Sequence, residues 1–347
     1  MSPGANGMSP GTTGVFTVRR MTPADKPAMM EIASRIWEGS DYLPAVFDEW
    51  VADREGEFAA VHLDGRIVGC GKLTFLTPTV AWLEGLRKDP RVSEKGLGAE
   101  VARYFLSRLA LRRDLTSIRF STYVRNLSSI TVNERLGFRR RTILSLKAWE
   151  GDRAELEAVP LRSSVGARSR VETVWDEQAA LDYLDRAGCF PAAGGLVVEG
   201  WRAWPFSREL VAARYVRAGF CRGIARGRGL AGLAVWVPET RFPQGRVKIV
   251  CIDATDEDVA DSLFDDIFLS IRAAAPAAAT NPPTNPPGTW ASTSERCEVQ
   301  WMVPDVERWK RWCAARGLRS EEQEDDFLVY ELPLAALGRW AEAGRGA

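Results

Sequence analysis

Two closely spaced glycines mark the first place in the sequence that could do chemistry. Gly96 and Gly98 stand in the run Lys95-Gly96-Leu97-Gly98, between an apolar segment and an amphipathic one. Glycine lets the backbone wrap closely around a ligand, and the free N–H groups of a first helical turn attract anions. Lys95 adds a positive charge. The pattern predicts a pyrophosphate site, and the alternative is an ordinary turn before a helix.

Glu84 is the second candidate, because it lies in the otherwise apolar segment from Val80 to Arg87. A carboxylate on a strand that faces a cleft could take a proton from an amine, directly or through water. Burying an acidic group costs free energy unless it is paired, so the alternative is a salt bridge to a neighbouring arginine. Strand alternation predicts two faces, one carrying Trp82, Glu84 and Leu86 and the other Leu83, Gly85 and Arg87.

A second motif follows the next apolar segment. It runs from Asn126 to Phe138, with Ser129, Asn133 and Glu134 at helical spacing and Gly137 at the end. With these two motifs the sequence resembles the GNAT acetyltransferases, and the resemblance covers Phe16 to about Trp149. It implies the GNAT acyl-CoA acyltransferase fold, a mixed α/β sheet, and transfer of acetyl from acetyl-CoA to an amino group by direct attack.

The resemblance also assigns residues. The implied contacts with acetyl-CoA are Leu86, Arg87, Lys88, Glu94, Lys95, Gly96, Leu97, Gly98, Ala99, Asn126 and Asn133. A backbone N–H between Leu86 and Lys88 would stabilise the oxyanion. Ser93 replaces the usual arginine or glutamine of the loop, and Asn133 replaces the usual tyrosine that protonates the CoA thiolate. Tyr123, at the end of its strand, is therefore the candidate acid.

Asp41 and Tyr42 lie between the first two predicted helices, where GNAT enzymes commonly shape the acceptor pocket. The alternative for these two residues is a capping aspartate and a half-buried tyrosine. A closer resemblance, to the vertebrate histidine N-acetyltransferase family, rests on Asp41-Tyr42-Leu43-Pro44, Leu83-Glu84-Gly85-Leu86-Arg87 and Cys251-Ile252-Asp253-Ala254. It implies a small-molecule acceptor such as free histidine. Two alternatives are a non-catalytic acyl-CoA-binding or regulatory module and a protein N-acetyltransferase.

The elements that must position these residues follow from hydrophobic periodicity and turn signals. Thr22-Pro23 predicts the start of a helix, another follows Pro44, and Asp64-Gly65 predicts a type I′ hairpin turn. The pattern predicts strands over 15–20, 58–63, 67–75, 80–87, 118–123 and 138–148, with helices over 96–112 and 127–136. This order indicates a mixed α/β sheet with helices on both faces.

The second half of the chain repeats the order of elements. It predicts helices over 172–187, 208–218, 256–273 and 307–316, and strands over 196–199, 232–237, 247–254, 299–303 and 327–332. Thr255-Asp256-Glu257-Asp258 stands where the phosphate loop would be, and its carboxylates would repel a pyrophosphate. We therefore expect a degenerate GNAT-like domain that does not bind CoA and that walls the acceptor pocket or packs on the first half, with Trp201, Trp204 and Trp301 available for packing.

The predicted organisation is a disordered tail over 1–14, a catalytic domain over 15–150, a linker over 151–169 and the degenerate domain over 170–347, with a low-complexity loop at 274–288. The formal net charge of zero favours neither nucleic acid nor an anionic membrane as a partner. Six scattered cysteines indicate reduced thiols and a cytoplasmic protein, with no metal site. The lone histidine, His62, receives no role, and the oligomeric state is not predicted.

Overall fold

The computed structural model describes residues 15–164, 166, 170–239, 246–274, 296–320, 323–338 and 340. The predicted tail and nearly all of the predicted low-complexity loop lie outside these residues. The chain divides into two compact units. The first unit takes residues up to Ile118, Thr131–Phe138 and the residues from Leu332 onward, and the second takes Arg119–Ile130 and Arg139–Glu331.

The first unit contains an antiparallel sheet in the order β1-β2-β3-β4. Its strands are β1 (Phe16–Arg20), β2 (Glu57–Leu63), β3 (Arg66–Thr77) and β4 (Val80–Lys88), and its helices are α1 (Lys26–Ala33), α2 (Leu43–Ala52) and α3 (Leu97–Leu109). Thr22 forms a capping box with Asp25 at a 3₁₀ turn that leads into α1. Asp64 and Gly65 have φ of +52° and +78°, as the predicted type I′ turn requires.

The helices of the first unit cover both faces of this sheet. Cys70 belongs to the apolar core that α1 and α2 form with Phe47 and Phe58. A Cβ at Gly71, the next residue of β3, would lie 2.5 Å from Val101 of α3. Because successive strand residues point to opposite faces, α3 packs on the face opposite to α1 and α2. Glycine at position 71 lets α3 approach the sheet closely.

The second unit holds a larger mixed sheet in the order β5-β14-β6-β13-β12-β11-β10-β7 and a separate hairpin, β8-β9. Its strands are β5 (Ser117–Tyr123), β6 (Arg139–Gly151), β7 (Val171–Thr173), β8 (Leu196–Glu199), β9 (Arg202–Pro205), β10 (Cys221–Arg226), β11 (Gly229–Pro238), β12 (Arg246–Ala254), β13 (Cys297–Val303) and β14 (Phe327–Leu332). The boundary between the two units falls within helix α4 (Leu127–Leu136). The remaining helices are α5 (Arg153–Ala158), α6 (Glu177–Ala187), α7 (Cys189–Ala192), α8 (Arg208–Val211), α9 (Glu257–Ala274) and α10 (Glu307–Ala315).

The two halves of the sequence are interleaved in this sheet. The late strand β14 lies between β5 and β6, which both come from the first half. In turn β6 lies between β14 and β13, and pairs antiparallel with both. Each half of the sequence therefore has one of its strands inserted between strands of the other half. The two compact units consequently cut across the two halves of the sequence.

Three of the sequence-based element predictions need correction, and two further strands were not predicted. The helix predicted over 172–187 is the short strand β7 followed by α6, and the helix over 208–218 is α8 followed by a π-helical turn ending at Val216. Strands β9 and β10 were missed, and α5 lies inside the predicted linker. Strands β7 and β9, of three and four residues, are too short to show a clear period in the sequence.

The prediction of six reduced thiols was wrong for two of them. Cys189 of α7 and Cys251 of β12 form a disulfide, with their Cα atoms 6.3 Å apart. They are 62 residues apart in sequence, so no local spacing could have revealed the pair. The other four cysteines are free and buried. Among the described residues, no helix is long and apolar enough to cross a membrane.

Candidate active site

A bulge in β4 shapes the centre of the site. Lys72 of β3 pairs with Glu84 of β4, and Cys70 of β3 pairs with Arg87 of β4. The step from one pair to the next covers two residues on β3 but three residues on β4. The extra residue falls at Gly85, whose φ is +67° and where a Cβ would lie 2.5 Å from the ring of Trp50. Glycine is required there by both the backbone conformation and the space.

The bulge overturns the predicted alternation of β4. Cys70 and Lys72 lie on the same face of β3, so their partners Arg87 and Glu84 also share one face. The sequence pattern had placed these two residues on opposite faces, because an inserted residue cannot be seen from periodicity. Leu86, predicted on the face of Glu84, is 43% exposed and comes within 3.2 Å of the position that a Cβ of Gly98 would take.

Glu84 sits among polar groups that hold its carboxylate in place. The Thr74 hydroxyl donates a hydrogen bond of 2.6 Å to Glu84 Oε1. Lys72, directly opposite Glu84, is 1% exposed and makes an ion pair with Asp53. The sequence reading missed Lys72, Thr74 and Asp53, although a lysine within the apolar stretch Val68–Leu76 was a visible signal.

Asp41 and Arg87 form a buried ion pair. Arg87 Nε and Nη2 donate to the two carboxylate oxygens of Asp41 at 2.8 and 2.9 Å. The guanidinium stacks on the rings of Trp37 and Tyr42, at 4.5 and 4.8 Å from their centroids. Burial is the largest cause that raises the pKa of Tyr42. This arrangement ties the segment between α1 and α2 to β4, and the predicted contact of Arg87 with acetyl-CoA stays a prediction.

Asp41 also accepts a hydrogen bond at the start of a helix, which was the alternative to a role in the acceptor pocket. Its Oδ1 accepts a hydrogen bond of 3.1 Å from the N–H of Leu43 at the start of α2. Tyr42 is half-buried, with its ring edge-on to Trp50. Both residues therefore have structural roles, and their contact with an acceptor stays a prediction.

The loop between β4 and α3 presents backbone donors. Asp89 is buried, and its carboxylate binds the guanidinium of Arg91 at 2.8 Å and the N–H of Arg91 at 3.0 Å. Gly96, with φ of +106°, precedes α3 without any side-chain cap. In the part of the chain that the structure describes, the N–H groups from Glu94 to Ala99 meet no acceptor. The start of α3 therefore offers a row of unused donors, with the exposed Lys95 beside them.

Asn126 directly precedes the next helix, α4, and Asn133 lies within it. The side chain of Asn126 caps α4 by accepting a hydrogen bond of 3.2 Å from the N–H of Ser129. At the other end, Gly137 has φ of +101° and the N–H of Phe138 donates to the carbonyl of Asn133 at 3.0 Å. The second motif thus forms a helix with a defined start and stop, as its sequence predicted.

Tyr123 lies beside the hairpin of the second unit. Its ring meets Trp201 edge-on with centroids 4.6 Å apart, and the Ser121 hydroxyl donates to the carbonyl of Trp201 at 2.8 Å. At the turn end of the hairpin, Glu199 pairs with Arg214 at 2.8 Å. The other two tryptophans singled out from the sequence are elsewhere: Trp204 stacks on Arg214, and Trp301 is buried against Trp309.

Comparisons with known proteins find a family model and solved structures that are similar to this chain. A model of the Acetyltransferase (GNAT) family matches residues 26–138. A GCN5-related N-acetyltransferase structure from Sphaerobacter thermophilus is similar over 91% of this chain and 95% of its own, with a TM-score of 0.57 and 14% identity. A GCN5-related N-acetyltransferase from Kribbella flavida aligns over 92% of this chain and 72% of its own, with a TM-score of 0.41 and 12% identity. No curated protein matches the sequence.

The fold is therefore the GNAT fold, and residues 26–138 match the model of the Acetyltransferase (GNAT) family. The predicted mixed α/β fold is confirmed. The closer resemblance to histidine N-acetyltransferases finds no support among these comparisons. Among the described residues, no group of three or more histidine, cysteine, aspartate or glutamate side chains could hold a metal ion.

Proposed function

We propose that this protein is an N-acetyltransferase that moves acetyl from acetyl-CoA to the amino group of a small molecule. The observation that carries the proposal is the uncapped start of α3, which follows the left-handed Gly96 and lies beyond a bulged β4. A row of unused backbone N–H groups at a helix N-terminus is suited to a pyrophosphate. The family match over residues 26–138 supports the same assignment.

The residues of this loop fit acetyl-CoA. The N–H groups from Glu94 to Ala99 would hold the pyrophosphate, with Lys95 and Lys88 adding positive charge. Leu86, which is partly exposed near Gly98, would contact the apolar arm of the cofactor. Asn126 and Asn133 would contribute from α4. When bound, acetyl-CoA supplies an acetyl group activated as a thioester.

Glu84 would act as the base. An amine reaches the site mainly as ammonium and must lose a proton before it can attack. The carboxylate of Glu84, oriented by Thr74, is suited to take that proton directly or through one water. A backbone N–H between Leu86 and Lys88 would donate to the oxygen on which negative charge develops, since a bulge leaves backbone groups out of the regular ladder.

The remaining assignments concern the acceptor and the leaving group. Tyr123 would donate a proton to the departing thiolate. Asp41 and Tyr42 would border the acceptor, with Arg87 keeping them in place. The second half would be a degenerate GNAT-like domain that contributes the hairpin carrying Trp201 next to Tyr123. The acceptor in this proposal is a small molecule, for example a free amino acid such as histidine.

One experiment tests the proposal against its alternatives. CoA release is measured with acetyl-CoA and a panel of free amino acids, polyamines and a lysine peptide, and CoA binding is measured separately by calorimetry. We expect turnover with at least one small amine. Binding without turnover would instead indicate a non-catalytic acyl-CoA-binding module, and turnover restricted to the peptide would indicate a protein acetyltransferase. Absence of both binding and turnover would refute the proposal.

A further inference from the structure

We propose that Arg119 and Arg141 form a site for a single carboxylate group, and that the acceptor is therefore a free amino acid held by its carboxylate. The inference rests on the proposed function and goes further, because it assigns contacts to the part of the acceptor that does not react. Arg119 lies on β5, Arg141 lies on β6, and Glu331, near the end of β14, forms ion pairs with both. All three residues belong to the second unit.

The guanidinium of Arg119 is buried with a donor to spare. Its side chain is 6% exposed, and Nε donates a hydrogen bond of 3.1 Å to Oε2 of Glu331. In the part of the chain that the structure describes, the buried Nη1 of Arg119 meets no acceptor. Leaving a buried N–H unpaired costs free energy, and buried donors in proteins are nearly always satisfied. The spare donor therefore points to an acceptor that a ligand supplies.

Two other buried arginines show how the chain pairs a guanidinium internally. Arg87 donates from all three of its nitrogens, to a carboxylate and to a carbonyl. Arg316 lacks an acceptor at Nε, but each of its terminal nitrogens donates to an aspartate. In Arg119, by contrast, a terminal nitrogen is the atom left over. The terminal nitrogens form the fork of the guanidinium that binds a carboxylate with two parallel hydrogen bonds.

The charges around Glu331 favour one more anion. Arg141 Nε lies 3.7 Å from the same Oε2 that accepts the hydrogen bond from Arg119. Burial is the largest cause that lowers the pKa of Arg119, and the nearby charge of Arg141 lowers it as well. Two guanidinium groups thus share one carboxylate, which leaves one positive charge without a counterpart. A second carboxylate would balance this charge, whereas a doubly charged phosphate would exceed it.

A bulge and a glycine place Arg141 beside open space. Arg141 is an extra residue of β6 between the partners of Val329 and Tyr330, and a bulge of this kind re-aims a side chain. Gly195, directly before β8, has φ of +75°, and a Cβ there would lie 3.7 Å from Nη2 of Arg141. A side chain larger than a methyl group at position 195 would therefore occupy the space beside this guanidinium. Arg141 is itself 48% exposed, so a ligand can reach the pair from this side.

The candidate acid lies on the same face of β5 as Arg119. Side chains alternate along a strand, so Arg119, Ser121 and Tyr123 project from one face. The Ser121 hydroxyl and the Tyr123 ring both contact Trp201 of the hairpin, so this is the face that the hairpin covers. Because Tyr123 marks the reacting end of this face in the proposed function, we assign the carboxylate at Arg119 to the acceptor.

The decisive experiment compares each free amino acid with its amide, which keeps the amine and lacks the negative charge. Binding to the whole protein is measured by calorimetry with and without CoA, which carries no acetyl group to transfer. At least one free amino acid should bind about tenfold or more tightly than its amide. Arg119→Lys keeps the charge but not the fork and should abolish most of this preference. Arg222→Lys, at an arginine that pairs with Asp266, is the matched control and should retain it.

Glu331→Gln distinguishes a ligand site from a structural ion pair. Removal of the competing carboxylate should tighten the binding of the free amino acid by about threefold or more and leave the amide unchanged. A purely structural pair predicts instead that loss of either partner lowers the melting temperature and leaves the preference for the acid as it was. The double variant of Arg119→Met with Glu331→Gln removes the pair without leaving a buried charge, so it should fold and show no preference.

The possible failures of this inference and of the proposed function are distinguishable. Equal binding of acid and amide throughout the panel, or no binding of either, would overturn the inference, as would an unchanged preference in Arg119→Lys. If Arg119→Lys instead weakens the binding of CoA but not of dephospho-CoA, the site holds a phosphate of the cofactor and the carboxylate assignment is wrong. A preference for the acid in binding, without CoA release from acetyl-CoA, would refute the proposed function alone. Acetylation of amides as fast as of free acids would refute this inference alone.

Discussion

Two strand–loop–helix segments of the molecule have the same plan and opposite chemistry. In the first, β4 leads to α3, and in the second, β12 leads to α9. Both leading strands carry one extra residue: the register shifts after Glu84 in β4 and after Ile249 in β12. When the bulges are aligned, Ile249, which is 1% exposed, occupies the position of Glu84. The strand geometry is thus compatible with an apolar residue in place of the carboxylate.

The loops that follow the two strands differ in length and in the way the helix begins. Eight residues, Asp89 to Gly96, separate β4 from α3, whereas Thr255 and Asp256 alone separate β12 from α9. The side chain of Asp256 accepts a hydrogen bond of 3.0 Å from the N–H of Val259 and pairs with Arg226. Gly96 has no side chain to do the same for α3.

This difference shows how one architecture can either offer or occupy a helix N-terminus. An uncapped first turn leaves donors for a ligand, and a capping carboxylate uses a donor and adds a negative charge that repels phosphate. The β12–α9 segment therefore gains helix stability where the β4–α3 segment leaves donors free for a ligand. Four variants can break or sharpen this contrast.

The largest effect is expected from Glu84→Gln. The new side chain cannot accept a proton, and neither can Ile249 at the corresponding position of β12. Turnover should fall by about two to four orders of magnitude, the usual contribution of a positioned general base. Affinity for CoA should hardly change, because Glu84 lies before the bulge and not in the phosphate loop. Steady-state kinetics and calorimetry measure the two quantities.

The pH dependence of the same variant distinguishes a base from a structural carboxylate. If Glu84 removes the proton, the deficit should shrink as pH rises, since more amine then arrives deprotonated. A purely structural Glu84 predicts lost stability and weaker CoA binding without rescue at high pH. Near-normal turnover by Glu84→Gln at neutral pH would exclude it as the base.

Gly98→Asp places a carboxylate in the first turn of α3, as Glu257 and Asp258 do in α9. Affinity for CoA should fall by about a hundredfold or more, because like charges a few ångströms apart in a partly buried site repel strongly. Gly98→Ala is the control for size, since its Cβ would meet only Leu86, at 3.2 Å. If both variants bind CoA like the wild type, the pyrophosphate lies elsewhere.

The sequence predicted the local parts of this contrast well and the non-local parts poorly. The Asp64-Gly65 turn, the span of α4 and the capped start of α9 follow from residues close in sequence, and the structure confirms them. The bulge at Gly85 changes the face of the sheet on which Arg87 lies. An inserted residue cannot be recognised from the alternation of side chains along a strand. The insertion of β14 between β5 and β6 and the Cys189–Cys251 disulfide join distant segments, so no local pattern could reveal them.

Tyr123→Phe tests the candidate acid with a smaller expected effect. The variant keeps the ring that contacts Trp201 at 4.6 Å and removes only the hydroxyl. Turnover should fall by about tenfold, less than a positioned general acid usually contributes, because a thiolate is a tolerable leaving group. The loss should be confined to kcat. An unchanged kcat across the pH range would exclude Tyr123 as the general acid. Tyr123→Ala removes the ring as well and therefore also tests the contact with Trp201.

The smallest effect is expected from Asp256→Ala, which uncaps α9. Loss of an N-cap aspartate costs about 1 kcal/mol of folding free energy, seen as a lower midpoint in denaturant. The hydrogen bond from the Val259 N–H is the largest cause that lowers the pKa of Asp256 in the folded protein. A lowered folded pKa gives stability that is present above the unfolded pKa and lost as pH falls, so the difference from wild type should vanish in acid. CoA affinity should not change, because α9 still lacks the glycine loop. A gain in CoA binding that persists in the double variant with Gly98→Asp would show that the second segment has kept a phosphate site after all.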